Sequence, residues 1–262
     1  MVIDFHYKKI MRFCFQALQS IVCMLMLLGV ITFVNHAQAG IVASSTRLVF
    51  KDDKNERTLM LANTNKYPII VQTWADNGDT SSTSDQANAP FIPVPSVFRM
   101  EPAGIKGIKV INRGDRLPQD RESVYWLNIY EIPPVSKKEE GAHIELAINT
   151  QLKIFYRPKT LTDDPQAALK KLKFTVRDQN GVKIIHCQND TPYFASFGQM
   201  NVDVGEKKYF AEQEMDMMTA PYSTHDYRIV VPKMVGSLQG KILNYILYDD
   251  RGDSTKHSAR LQ

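Results

Sequence analysis

The residues best suited to catalysis in this chain are scattered. Downstream of residue 39 the histidines are His143, His186, His225 and His257, and none forms an H-x-x-x-H pair or a Cys/His ligand cluster. No G-x-S-x-G elbow, Walker loop or G-x-G-x-x-G turn occurs. Cys187 sits in an apolar run and reads as a small core residue rather than a nucleophile. Arg251-Gly252-Asp253 spells an adhesion-type tripeptide, but a three-residue match in a turn reads as a solvated bend. The expectation is a protein that is not an enzyme and needs no metal or cofactor.

Two cations are more informative. Arg47 and Lys153 each interrupt an otherwise apolar, β-branched run. A lone cation in such a run snorkels to solvent; two side by side need an anion to join them. A third pattern is Ile144, Leu146 and Ile148, which alternate with Glu145 and Ala147. In a strand this spacing puts three aliphatic chains on one face, directed either into the protein's own core or outward at a sheet edge.

Those residues must be held by sheets. Helix-period patterns are scarce, and short β-branched or aromatic runs recur between turn clusters, as in antiparallel sandwiches. The expected strands are Ile41 to Phe50, Arg57 to Asn63, Ile69 to Asp76, Pro95 to Glu101, Ile105 to Asn112, Ser123 to Glu131 and His143 to Tyr156. A polar stretch from Asn77 to Ser82 reads as a loop. Pro158, Asp163, Asp164 and Pro165 mark a linker, residues 159–165, between a first domain, 40–158, and a second, 166–262. The second opens with a hairpin, Leu172 to Arg177 and Val182 to Cys187, turned at Gln179-Asn180-Gly181. Further strands are expected at Tyr193 to Val202, Asp226 to Val231 and Lys241 to Tyr248.

Residues 1–39 read as a cleavable signal peptide. Lys8, Lys9 and Arg12 precede an apolar run from Ile21 to Val34, too short to span a bilayer, and Ala37-x-Ala39 offers a cleavage site before Gly40. An uncleaved anchor is the alternative, and Met11 is an alternative start. Of the chain's 262 residues, 32 are basic and 28 acidic. The leader carries Lys8, Lys9, Arg12 and Asp4, so its removal leaves 29 against 27, a balance that argues against a nucleic-acid partner. Cys14 and Cys23 leave with it, so Cys187 has no disulfide partner in the exported chain.

Three stretches resemble the periplasmic pilus chaperones of the chaperone-usher pathway. They are Ser45 to Phe50, then Leu117 to Ser123 running on to Tyr130-Glu131-Ile132-Pro133-Pro134, then Leu152 to Pro158. Weaker echoes lie in Met100-Glu101-Pro102-Ala103-Gly104 and in Asn189-Asp190-Thr191-Pro192-Tyr193-Phe194, where the family usually has Pro at the position of Asp190. The resemblance implies an all-β chain of two immunoglobulin-like sandwiches in an L, or boomerang, arrangement. It implies that Arg47 and Lys153 bind the terminal carboxylate of a pilin subunit, and that Ile144, Leu146 and Ile148 belong to an edge strand donated to that subunit. It also implies that Glu122, Arg157 and Asp249 form an interdomain ion network, with Asp250 as the alternative to Asp249. The nine residues from Val135 to His143 make a short F1–G1 loop, which in the family goes with rod-like pili. The implied partners are pilin subunits and an outer-membrane usher, with a self-capping homodimer when no subunit is bound and no small-molecule substrate. The implied location is the periplasm. The alternative function is an exported structural pilin or adhesin subunit.

Overall fold

The computed structural model describes residue 19 and residues 40–51, 54–134, 147–179, 182–232 and 235–262. All elements below lie in Gly40–Gln262, which forms one compact unit.

The first half contains β1 (Ile41–Ala43), β2 (Arg47–Lys51), β3 (Glu56–Asn63), β4 (Ile69–Asp76), β5 (Phe91–Val94), β6 (Val97–Met100), β7 (Ile105–Asn112), β8 (Ser123–Ile132) and β9 (Ile148–Arg157). They form a four-stranded sheet, β1-β3-β7-β5, and a five-stranded sheet, β2-β9-β8-β4-β6. Leu59, Leu61, Ile108 and Val110 from the first sheet meet Val71, Leu127, Ile129 and Ile154 from the second in a fully buried core. Alternation does this work: β3 buries every second residue near its end, and β7 does so at Ile108 and Val110.

The expected strand from Ile41 to Phe50 is in fact two strands in different sheets. The break falls at Ser44-Ser45-Thr46, where hydroxyls bond the backbone: Ser44 Oγ accepts from Met60 N at 3.1 Å and Ser45 Oγ donates to the Arg47 carbonyl at 2.7 Å. Such side-chain bonds substitute for ladder bonds and let the chain cross from one sheet to the other.

The second half has its own core, built around Phe174, Ile185, Cys187, Tyr193, Phe197 and Tyr227. It opens with a short helix α1 (Pro165–Ala168), whose N-cap Asp164 accepts from Gln166 N and Ala167 N, followed by a 3-10 turn at Leu169–Lys171. Strands follow: β10 (Lys173–Gln179), β11 (Val182–Asn189), β12 (Ala195–Val204), β13 (Lys207–Phe210), β14 (Met218–Thr219), β15 (Ser223–Ile229), β16 (Ile242–Tyr248) and β17 (Ser254–Arg260). Their sheets run β10-β11-β15 and β13-β12-β16-β17, with β14 beside β12. The β10–β11 register pairs Gln179 with Val182, and Asn180 and Gly181, the rest of the expected turn, lie outside the described residues. Each half is thus an immunoglobulin-like sandwich, and the described residues from Gly40 on are all-β apart from these short helical turns.

Four strands escaped the sequence reading. β5 contains Pro93, which a sheet tolerates here because β5 is an edge. β13 and β17 are polar edge strands with little apolar alternation, and β14 has two residues.

Candidate functional site

The parallel pair β2–β9 sets Arg47 directly against Lys153. This is the first rung of that ladder. Ahead of it, Ile148 to Leu152 pair with β8 on one side and, among the described residues, with nothing on the other. The two cations therefore stand where a half-unpaired strand edge meets the end of β2.

Ile148 is 45% exposed and, by alternation, shares a strand face with the core residues Leu152 and Ile154. Ile148 thus lies past the end of the covered core. Ile144 and Leu146, the other two residues of the expected apolar row, lie outside the described residues, as do the whole Val135–His143 connection and all of the leader but residue 19.

Arg47 enters a cleft between the two sandwiches, lined also by Phe155, Phe194, Ser196 and Tyr248. Its guanidinium lies 5.8 Å from the Phe155 ring centroid and 5.4 Å from that of Tyr248, within cation–π range of both. Its Nε is buried and, among the described residues, has no hydrogen-bond partner. Burial lowers this guanidinium from its ordinary value, while the charges of Asp249 and Asp250 pull it back up. Lys153 reaches across to the second sandwich, where its Nζ lies 2.5 Å from Asp216 Oδ1. Asp216 was not foreseen: its partner is 63 positions away in sequence.

Beside the cations lies a buried ion network. Arg157 Nε donates to Glu122 Oε1 at 2.7 Å, and its two terminal nitrogens donate to the two carboxylate oxygens of Asp250, each at 2.7 Å. Glu122 Oε2 accepts from Phe194 N at 2.9 Å, and Glu122 N donates to the Pro192 carbonyl at 2.9 Å. The Arg157 guanidinium also lies 5.4 Å from the Tyr193 ring centroid. Pro192 to Phe194, together with Asp250, therefore face the first domain across the seam.

Asp249 does not reach Arg157. Its Oδ1 accepts from Arg251 N and Asp253 N, both at 2.9 Å, so it caps the turn between β16 and β17. The alternation of β16 passes through this turn, and the side chain one residue later is the one aimed at the first domain. Gly252 closes the same turn with φ +88°, and a Cβ there would sit 2.3 Å from Thr46 Oγ1, next to Arg47. The bend is solvated at Arg251 and Asp253, but its glycine abuts the first sandwich.

Burial raises the Glu122 carboxyl above its ordinary value despite Arg157. Burial pushes Asp250 the same way, but the hydrogen bonds and charge of Arg157 outweigh it and hold Asp250 below its ordinary value. For Arg157 burial acts downward, and the two carboxylates together hold it above its usual range. Cys187 is wholly buried, and loss of solvation pushes its thiol up to about 12. Among the described residues no cluster of His, Cys, Asp or Glu could hold a metal, and no helix is long and apolar enough to cross a membrane.

A charged cleft lies between the two sandwiches, and beside it the edge of β9 is, among the described residues, unpaired, which is the arrangement of a binding protein. Comparison with known proteins is specific about which. Residues 40–162 match the pili and flagellar-assembly chaperone, PapD N-terminal domain, and residues 167–259 match the pili assembly chaperone PapD, C-terminal domain. The chaperone protein FimB/FhaD of Bordetella pertussis is 33% identical over 230 residues, covering 86% of this chain and 89% of that protein. The probable fimbrial chaperone YadV of Escherichia coli K12 is 31% identical, covering 87% of this chain and 93% of its own length. The crystal structure of YadV chaperone superposes with a TM-score of 0.71 at 30% identity, over 85% of this chain and all of that one. The chain belongs to the family of pilus-assembly chaperones of the chaperone-usher pathway.

Proposed function

We propose that this chaperone holds pilin subunits in the periplasm by adding its own β9 edge to them, and passes them to an outer-membrane usher. The observation that carries the reading is the pairing of Arg47 with Lys153 at the rung where the open edge of β9 begins. A subunit strand laid along Ile148 to Leu152, with its terminal carboxylate at the two cations, runs parallel to β9, because it continues the line of β2. The carboxylate fixes where that strand stops, and hence its register. Backbone pairing along the edge contributes about 1 kcal/mol net per bond. Apolar side chains of the row Ile144, Leu146 and Ile148, each worth roughly 1.5 to 3 kcal/mol when fully buried, contribute about 5 to 9 kcal/mol before the cost of ordering.

Residues 1–39 act as the cleavable export signal in this reading, and residues 159–165 as the linker between the domains. The network of Glu122, Arg157 and Asp250 orients the two sandwiches so that both walls of the cleft present their groups to one ligand. Without a subunit, the apolar edge pairs with that of a second copy. The short Val135–His143 connection supports service to rod-like pili.

Co-expression with a pilin subunit from the same operon tests this. Lys153→Ala should keep the wild-type melting temperature and lose the subunit from a pull-down. Retention at wild-type yield would overturn the carboxylate anchor.

A further inference from the structure

Asp216 comes from the second sandwich, on the segment between β13 and β14. That segment is pinned on both sides: His225 Nε2 lies 2.8 Å from Glu214 Oε2, and the carbonyl of buried Met217 accepts from Phe197 N at 2.7 Å. The carboxylate between these anchors approaches Lys153 to 2.5 Å, yet among the described residues its buried Oδ1 makes no aligned hydrogen bond. The two groups meet as charges without hydrogen-bond alignment. The neighbouring Arg47 Nε is likewise buried and, among the described residues, without a hydrogen bond. The Asp216 side chain is 34% exposed and, among the described residues, pairs with no group of its own segment, so the local fold does not account for an aspartate here. Its partner does: Lys153 stands beside a second cation, and Asp216 is the anion that neutralises it in the free protein.

We propose that Asp216 is an internal surrogate for the ligand's carboxylate, occupying Lys153 until a subunit displaces it. The proposal rests on the carboxylate-anchor reading above and deepens it. An arriving carboxylate exchanges with Asp216 rather than meeting a bare ammonium, so its apparent affinity is reduced by the fraction of molecules in which Asp216 holds Lys153. It gains what Asp216 lacks, since a mobile chain end can align with Lys153 and reach Arg47 as well. Small carboxylates and stray peptide ends, which bring no strand to β9, displace Asp216 weakly. A subunit that also pairs along Ile148 to Leu152 displaces it readily. Asp216 thus favours ligands that present a carboxylate and an extended strand together, and on release it recaptures Lys153.

The test uses two synthetic probes, an N-acetylated alternating Val-Thr decapeptide with a free α-carboxylate and the same peptide as its C-terminal amide. Binding to the exported protein is followed by calorimetry and by tryptophan fluorescence in a Trp74→Phe background, which leaves Trp126, the cross-strand neighbour of Lys153, as the reporter. Wild type should prefer the acid, and Lys153→Ala should lose that preference. Asp216→Asn should bind the acid about 3- to 30-fold tighter than wild type and the amide equally, with Asp216→Ala changing in the same direction. Unchanged or weaker acid binding by both Asp216 variants, with the wild-type preference intact, would overturn the surrogate role and make Asp216 a residue that positions Lys153. No acid preference in wild type, or one that survives in Lys153→Ala, would instead overturn the anchor itself.

Discussion

Replacing Arg157 with alanine removes the cation that two carboxylates share, and the structure says which of them suffers. Asp250 has a side chain 46% exposed and can turn to water, so its lost pair is worth at most about 1 kcal/mol. Glu122 has a side chain 3% exposed and would keep only its bond from Phe194 N. An uncompensated buried charge of this kind costs about 3 to 5 kcal/mol. With a domain unit of this size moving roughly 2 to 4 °C per kcal/mol, the melting temperature should fall by roughly 6 to 20 °C. The pH dependence follows from the raised Glu122 carboxyl. Without Arg157 it rises further, so the native variant holds a proton that the unfolded chain has released. The stability of the variant therefore falls as pH rises through the folded-state value of Glu122, and its deficit relative to wild type shrinks as pH falls. Adding Glu122→Gln to Arg157→Ala should recover at least half of the loss. Melting and urea titrations at a series of pH values measure all of this. A deficit under 1 kcal/mol, or one that grows towards low pH, would refute the reasoning.

The remaining expectations are simpler. Asp250→Asn should cost about 1 kcal/mol in urea denaturation, whereas Asp249→Asn should cost less than half of that, because asparagine can still cap the β16–β17 turn. Cys187 should resist a thiol reagent in the native protein at neutral pH and react at once on unfolding, since its thiol is fully buried and pushed up to about 12. Gly252→Ala should destabilise by about 1 to 2 kcal/mol through its positive φ and its approach to Thr46, and Gly252→Asn, which tolerates that conformation better, should be compared with it by melting.

Much of the first sandwich was legible because its strands are apolar and alternate: Ile69–Asp76 and Ile105–Asn112 lie where the pattern put them. The sheet switch at Ser44-Ser45-Thr46 was not, since β propensity is continuous across it and only the hydroxyl bonds reveal the break. Polar edge strands such as Ser254–Arg260 carry no apolar period because neither face is deeply buried. At the site, Arg47 and Lys153 stood out as cations in apolar runs, and Glu122 and Arg157 through the family resemblance. Asp250 differed from Asp249 by one residue, a distinction set by turn geometry. Asp216 and Tyr248 are joined to the cations by tertiary contact alone, and no local pattern marks them.

The central claim is that a subunit lies along the open edge of β9 and ends at Arg47 and Lys153. Hydrogen–deuterium exchange of the free and subunit-bound chaperone addresses it directly. In the complex, the backbone amides of Ile148 to Leu152 that do not point at β8 should become strongly protected, with protection ending at Lys153, where β2 already pairs. Exchange in Ile148 to Leu152 that is the same with and without bound subunit would contradict the account.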